Sequence, residues 1–260
     1  MTNLALIGVG KWGRNYLSAV KDIPNCQIKY TRTHEYQDLL EKDDIDGVII
    51  ATPASTHFEI ASEFLQKGFN LLIEKPLAAN SSEAEKLYEL WTKTKPKVLV
   101  GLTYLYNQNY QKMKLKLPEI GQIKEIVFEG LSSPVRNDVN ILWDWGPHVV
   151  SLFLDLVQKP VSKINYSGQK DSGNLELEFD SGIKASSYMQ WINPEKIRML
   201  KIIGETGELQ VDFSLPNPTP PLTIELMEFV DAIRENKPIT SGIKLGVEVT
   251  DILTEASDSY

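Results

Sequence analysis

The segment Gly8-Val9-Gly10-Lys11-Trp12-Gly13 restricts this chain more than any other. It follows an apolar β-like run, Asn3 to Ile7, and opens a stretch of helical periodicity, Lys11 to Lys21. In that setting the first glycine allows a tight turn, and the second lets backbone approach a pyrophosphate. The third permits close packing of helix on strand. Free N–H groups at the helix N-terminus then face the phosphates. Gly8, Gly10, Lys11, Trp12 and Gly13 are therefore candidate cofactor-binding residues for a dinucleotide.

The first hundred residues repeat this alternation. Gln27 to Tyr30, Gly47 to Ile50, Asn70 to Ile73 and Lys97 to Val100 read as further strands, and Thr56 to Gln66 and Ser82 to Trp91 as helices. Strands alternating with helices predict βαβ units and a parallel sheet. The pattern changes after Pro118. Alternating runs follow at Ile123 to Leu131, Ile164 to Ser167, Leu175 to Phe179, Ile183 to Gln190, Met199 to Ile203 and Leu209 to Phe213. Turn-like breaks between neighbours predict a mostly antiparallel sheet. A helix is read from Pro147 to Val157, with Pro147 in its first turn. Two more close the chain, Thr223 to Glu235 and Leu245 to Ala256. The fold class is thus α/β: an N-terminal Rossmann domain (1–118), followed by an α+β domain with an open-faced sheet (119–260).

Charge narrows the partners. With 27 Lys and Arg against 35 Asp and Glu, the net charge of -8 argues against a nucleic-acid partner. No run reaches the length of a membrane span, and the apolar start is too short for a signal peptide. A lone cysteine, Cys26, fits a reducing compartment, so a cytoplasmic location is expected.

Candidate chemistry clusters at the carboxyl ends of the parallel strands, where open α/β sheets place ligands. The second strand ends in Thr31-Arg32-Thr33 rather than the acid that grips a ribose 2′-hydroxyl. An arginine flanked by hydroxyls suits a 2′-phosphate, so NADP is favoured over NAD as cofactor. Ala51, Thr52, Pro53 and His57 follow the third strand, and Glu74-Lys75-Pro76 the fourth. These too are candidate cofactor contacts. A lysine ahead of proline sits in a rigid, extended turn; near a cationic nicotinamide it would help lower the pKa of a substrate hydroxyl. Alternatively, Lys75 forms an ion pair with Glu74 or Asp144. Asp144 and His148 lie four residues apart and share a face if that segment is helical. A histidine titrating near neutrality suits hydroxyl proton transfer, although a lone histidine is more often a satisfied core residue.

Taken together, these residues resemble the Gfo/Idh/MocA family of oxidoreductases, named for glucose–fructose oxidoreductase and inositol dehydrogenase. The resemblance rests on Gly8 to Gly13, Ala51 to His57, Glu74-Lys75-Pro76, Gly101 to Asn107 and the Asp144/His148 pair. The stretches Arg136 to Asp144 and Gly101 to Asn107 look most like members encoded with sugar-nucleotide and surface-polysaccharide genes. The resemblance implies a sugar or sugar-nucleotide substrate, with Lys75 at the nicotinamide and His148 as general acid/base. Asp144 would bind a substrate hydroxyl or orient the histidine. Thr103, Tyr104, Arg136, Asp138 and Asn140 would line the substrate side, and the open sheet would join subunits into a homo-oligomer, a dimer or tetramer.

The chain departs from the family in length. Where members carry another helix and short strand, Glu35 to Lys42 must make the whole crossover before Gly47, close to the minimum for such a connection. A trimmed adenine side also suits the competing function, a ligand-binding regulator or scaffold without chemistry. Retention of Lys75, Asp144 and His148 favours the enzyme.

Overall fold

The computed structural model describes residues 1–132, 135, 139–191 and 196–258. Its strands are β1 (Thr2–Ile7), β2 (Cys26–Arg32), β3 (Gly47–Ile50), β4 (Leu71–Glu74), β5 (Val98–Gly101), β6 (Ile123–Leu131), β7 (Val161–Gly168), β8 (Ser172–Phe179), β9 (Lys184–Gln190), β10 (Ile197–Gly204) and β11 (Glu208–Asp212). The helices are α1 (Lys11–Ala19), α2 (His57–Gln66), α3 (Ser81–Thr94), α4 (Gln108–Lys114), α5 (Ile141–Val157), α6 (Pro221–Glu235) and α7 (Ile243–Asp258). Two compact units result. One holds Met1–Thr103 with Thr219–Asp251, the other Tyr104–Pro218 with the chain from Ile252 onward.

The first unit is a parallel sheet in the order β2-β1-β3-β4-β5. Every residue of β3, β4 and β5 is buried, as the continuous apolar runs Gly47-Val-Ile-Ile and Leu71-Leu-Ile demand of strands covered on both faces. Helix α2 packs on α3, and α1 on α6. The late helix α6 therefore belongs to the Rossmann unit, where it presses against β3. A Cβ on Gly47 would fall 2.9 Å from Ile233 and 3.0 Å from Phe229. Between β2 and β3 the chain makes only a 3₁₀ turn over Gln37–Glu41, anchored by buried Leu39. The crossover is as short as the residue count requires.

The second unit is a six-stranded sheet, β11-β10-β6-β9-β8-β7, antiparallel except for the β6–β9 pair. Period-two alternation sends Ile126, Phe128, Leu175, Leu177, Ala185, Met189, Leu200 and Ile202 to one face, where they are buried, and α5 packs against β6, β8 and β9. The opposite face carries Val127, Glu129, Asn174, Glu176, Lys184 and Tyr188, a mixed rather than purely apolar surface.

One expectation needs correction. Helix α5 starts at Ile141, so Pro147 stands in its interior rather than in its first turn. The start is set by Asn140, whose side chain accepts the Trp143 N–H at 3.0 Å. A proline inside a helix forfeits one backbone bond and crowds the preceding turn, which here the buried surroundings of Gly146 and Pro147 outweigh. Among the described residues no helix is long and apolar enough to cross a membrane.

Candidate functional site

The first unit builds a phosphate-binding turn between β1 and α1. Gly8 has φ +95°, and a Cβ there would sit 2.5 Å from the Ala51 carbonyl oxygen. On Gly13 a Cβ would sit 1.9 Å from the Gly8 carbonyl oxygen, so these two glycines are required by the protein itself. Gly10 differs. A Cβ there meets nothing within 4 Å. No side chain caps the α1 N-terminus, and Lys11 and Trp12 beside it are exposed. The helix thus presents N–H groups and the positive end of its dipole on the side where Gly10 leaves backbone approachable. These features fit a dinucleotide pyrophosphate.

At the end of β2, Thr31 and Thr33 are exposed and Arg32 is half-buried. They line an open depression of about 710 Å³ with His34, Glu35, Gln37 and Asp38. Arg32 is paired there. Its Nε donates to Asp38 at 2.9 Å and a terminal nitrogen donates to the same carboxylate. The Arg32 bond in turn holds the Asp38 carboxyl below its usual range. An acid therefore stands beside the end of the second strand after all. It comes from the 3₁₀ turn rather than the strand end.

Loops after β3 and β4 are tied together by His57. Its Nδ1 lies 2.8 Å from the Pro76 carbonyl oxygen and its Nε2 2.9 Å from that of Thr52, while Thr56 donates to the Thr52 hydroxyl at 2.8 Å. Burial lowers the His57 pKa, so the ring is neutral at pH 7 and donates to one of its two carbonyls. Both of its nitrogens serve the fold. Pro53 is exposed, and Ala51 and Thr52 are half-buried. Lys75, half-buried, precedes Pro76 across a cis peptide bond.

Glu74 lies beneath this loop in a buried cluster that sequence reading missed. The Tyr16 hydroxyl donates to Glu74 Oε1 at 2.8 Å and stands 3.4 Å from Glu225 Oε1 on α6; Glu74 Oε2 accepts the Lys75 N–H at 3.2 Å. Gly101 makes the room, since a Cβ there would be 3.1 Å from Glu74 Oε2. Burial raises the pKa of both carboxyls, and the Glu74 charge raises that of Glu225 further. A signal existed: Glu225 sits in the apolar stripe with Phe229 and Ala232, one and two helical turns on.

This cluster yields a stability prediction. A carboxyl whose folded pKa exceeds its unfolded value favours folding at low pH. That advantage fades as pH rises from about 4.3 through the folded pKa. Glu225→Gln is accordingly expected to raise the protein's stability at pH 7–8, where the buried carboxyl must ionise or stay protonated at a cost. The gain should shrink as pH falls towards 4.5. Thermal melts across that range check it, and a variant less stable than the parent at pH 8 contradicts it.

The second unit gathers a different set. Along α5, Asp144 and His148 are half-buried while Trp145, Gly146, Pro147, Val149 and Val150 between and beyond them are buried. Being one turn apart, they share a helix face. The Tyr104 ring stacks on His148 at 4.4 Å and 12°, and on Phe213 at 4.6 Å and 13°. Burial raises the Tyr104 pKa; Arg198, charged and hydrogen-bonded to its hydroxyl, opposes this, and the Asp144 carboxylate adds to it. Arg198 is a member that sequence reading missed. Thr103 lies half-buried in the first unit, in the 3₁₀ turn leading to Tyr104, and Asn140 caps α5. Arg136 and Asp138 lie outside the described residues. No three His, Cys, Asp or Glu among the described residues are placed to hold a metal ion.

Comparison with known proteins agrees with this architecture. Residues 25–102 match the family model described as "Oxidoreductase family, NAD-binding Rossmann fold". Scyllo-inositol 2-dehydrogenase (NADP(+)) IolU of Bacillus subtilis is 24% identical, over 91% of this chain and 90% of its own. Two further curated relatives are matched over 57% and 53% of their lengths. A solved oxidoreductase structure from Magnetospirillum magnetotacticum is 28% identical, with a TM-score of 0.88 over 97% of this chain and 98% of that one. UDP-N-acetylglucosamine 3-dehydrogenase GnnA from Acidithiobacillus ferrooxidans shares the fold at 20% identity, with a TM-score of 0.85 over 99% and 97% of the two chains. With its glycine turn, its Glu74-Lys75-Pro76 loop and its helix-borne Asp144 and His148, the chain is similar to the Gfo/Idh/MocA oxidoreductases, and its residues 25–102 match that family's NAD-binding Rossmann fold.

Proposed function

We propose that the protein is an NAD(P)-dependent dehydrogenase or reductase. It moves a hydride between the dinucleotide and a hydroxyl or keto group of a sugar or sugar-nucleotide. The supporting observation is the half-buried Asp144/His148 pair, one turn apart on a helix most of whose other residues are buried, with the His148 ring braced by Tyr104. Two polar side chains kept at the edge of such a helix suit a hydroxyl-bearing ligand better than a packing role. The sugar-like class draws on the scyllo-inositol and UDP-N-acetylglucosamine dehydrogenases among its relatives.

The dinucleotide, when bound, accepts or donates the hydride. Gly10 and the α1 N-terminus would hold its pyrophosphate, in a turn shaped by Gly8 and Gly13, and the residues around Thr31 to Thr33 would hold the adenine ribose. His148 takes the hydroxyl proton during oxidation and returns it during reduction. Asp144 holds a neighbouring hydroxyl, and Lys75 stabilises charge developing on the reacting oxygen. His57 acts one step away, by holding the two loops that flank Lys75.

The test is a binding titration followed by turnover. NADP(H) and NAD(H) are titrated into the protein, and nicotinamide absorbance is followed with polyols, hexoses and nucleotide sugars. Hydride transfer to or from one of these is expected. Tight dinucleotide binding with no transfer to any of them would favour the regulator.

We assign NADP as the preferred dinucleotide because the Arg32 fork suits a 2′-phosphate. NADPH is then expected to bind about tenfold more tightly than NADH, and Arg32→Ala to erase the difference. The Arg32–Asp38 pair supports a second reading, in which Asp38 accepts the ribose hydroxyls and NAD is preferred. Asp38→Asn separates them: under the first reading NADPH affinity should rise while NADH affinity stays constant, and under the second NADH affinity should fall while NADPH affinity stays constant.

We further propose a homo-oligomer joined through the open face of the six-stranded sheet. Tyr188, Val127 and Met199 give that face an apolar centre among charged residues. Sedimentation at micromolar concentration should show a species heavier than 29.4 kDa. A monomer alone would refute this.

A further inference from the structure

Arg198 stands where the alternation of β10 would normally place an apolar side chain. Along that strand Arg198, Leu200 and Ile202 point to the same face, and the latter two are fully buried. In the register of the sheet Arg198 pairs with Gly130 on β6. Gly130 has a specific task, since a Cβ there would lie 2.1 Å from the Trp145 ring. The glycine is thus a notch that lets Trp145 of α5 lie against the sheet. The Arg198 guanidinium carbon sits 5.3 Å from the centre of that ring, a cation–π arrangement. The guanidinium also hydrogen-bonds the Tyr104 hydroxyl. Its Nε is buried and has no hydrogen-bond partner among the described residues.

Among the described residues nothing in this packing requires a charge. A methionine or leucine would fill the place beside Trp145 without bringing an ion to the head of an apolar row, and an incompletely paired buried polar atom costs about 1–3 kcal/mol. The group nonetheless sits next to Tyr104, which is stacked on His148 and feels the charge of Asp144. A guanidinium offers five donors in a planar fork matched to carboxylate and phosphate oxygens. Asp144, by contrast, suits a hydroxyl and repels an anion. The two groups would divide between them a ligand that carries both.

We propose that Arg198 is the substrate-anion residue of this site: its guanidinium receives a carboxylate or phosphate oxygen of the sugar. This rests on the proposed function and narrows it, from sugars in general to sugars bearing one anionic group. Trp145 and Tyr104 hold the fork in place, and Gly130 provides the space in which they do so.

The experiment uses one ring in three states of charge: glucose, glucuronate and glucose 1-phosphate. Binding of each is measured by calorimetry to the full-length protein saturated with NADP⁺, in the parent, in Arg198→Gln and in Arg198→Lys. The parent is expected to bind at least one anionic ring more tightly than glucose. Whichever of the two binds identifies the anion as carboxylate or phosphate. In Arg198→Gln the anion-to-glucose affinity ratio should fall about 10- to 150-fold, the range for a hydrogen bond to a charged group. Arg198→Lys should recover part of it, since it keeps the charge but not the fork.

Where a ring is also turned over, the loss should appear in KM rather than kcat. A loss confined to kcat would instead make Arg198 a positioning residue for Tyr104 and His148, and would overturn the proposal. So would a parent that binds no anionic ring better than glucose, or a ratio unchanged in Arg198→Gln. Anion binding that depends on Arg198 without any hydride transfer would leave the inference standing and remove the dehydrogenase reading.

Discussion

Replacing His148 by asparagine is expected to lower turnover about 100- to 10,000-fold, the usual contribution of general acid–base catalysis, while dinucleotide affinity stays nearly constant. Asparagine keeps a polar side chain of similar reach but cannot take up the substrate proton. It also keeps α5 intact, since His148 lies at the half-buried edge of that helix and not in its packed stripe. Lys75→Ala should lose at least as much, because a cation at the place where alkoxide charge develops acts on the transition state more than on the bound sugar. Asp144→Asn should act differently. If the carboxylate holds a hydroxyl, its removal raises KM more than it lowers kcat. Steady-state kinetics on the best substrate, with a separate dinucleotide titration for each variant, measure all three. Full activity in His148→Asn across pH would remove His148 from the proton-transfer step.

The second large effect separates two glycines of one motif. Gly10→Val is expected to fold normally and to lose dinucleotide binding. At Gly10 a Cβ meets no protein atom within 4 Å, yet it would stand where backbone must approach the pyrophosphate. Gly13→Ala should do the opposite. Its new methyl would have to displace the Gly8 carbonyl, 1.9 Å away, so the β1–α1 packing must open. The cost should be about 3 kcal/mol or more, the upper range for overpacking. Melting temperature and dinucleotide affinity, measured on both variants, give the contrast. A Gly10→Val protein that binds NADP(H) like the parent would place the pyrophosphate elsewhere.

Much of the architecture was readable because its signals are local. The glycine turn, the apolar runs of β3 and β4 and the short crossover each follow from residues adjacent in the chain. So does the switch to period-two alternation after Pro118. What stayed hidden depends on partners distant in sequence. Helix α6 reads as one more amphipathic helix, and nothing in its stripe says that it packs against β3, near the other end of the chain. Its buried Glu225 acquires meaning only beside Tyr16 and Glu74. Asp38 comes back to Arg32 because the crossover is a single 3₁₀ turn, a fold detail that composition does not convey. Pro147 misled for a physical reason: proline favours first turns, but the Asn140 cap and the buried face of α5 fixed the helix start six residues earlier. Arg198 was lost with the strand's first two residues. Starting β10 at Met199 left the arginine outside a row that, counted by twos from Ile202, would have placed it facing inward.

The proposed reaction is hydride transfer between a nicotinamide and a sugar carbon, with His148 handling the accompanying proton. The most direct measurement follows the hydrogen itself. Reduced dinucleotide deuterated at nicotinamide C4 is mixed in single turnover with a keto form of each candidate sugar, and the product is weighed by mass spectrometry. One deuterium is expected on the newly formed carbinol carbon, at a rate that falls about 100-fold or more in His148→Asn. Dinucleotide that binds but retains its deuterium with every sugar tried would contradict hydride transfer.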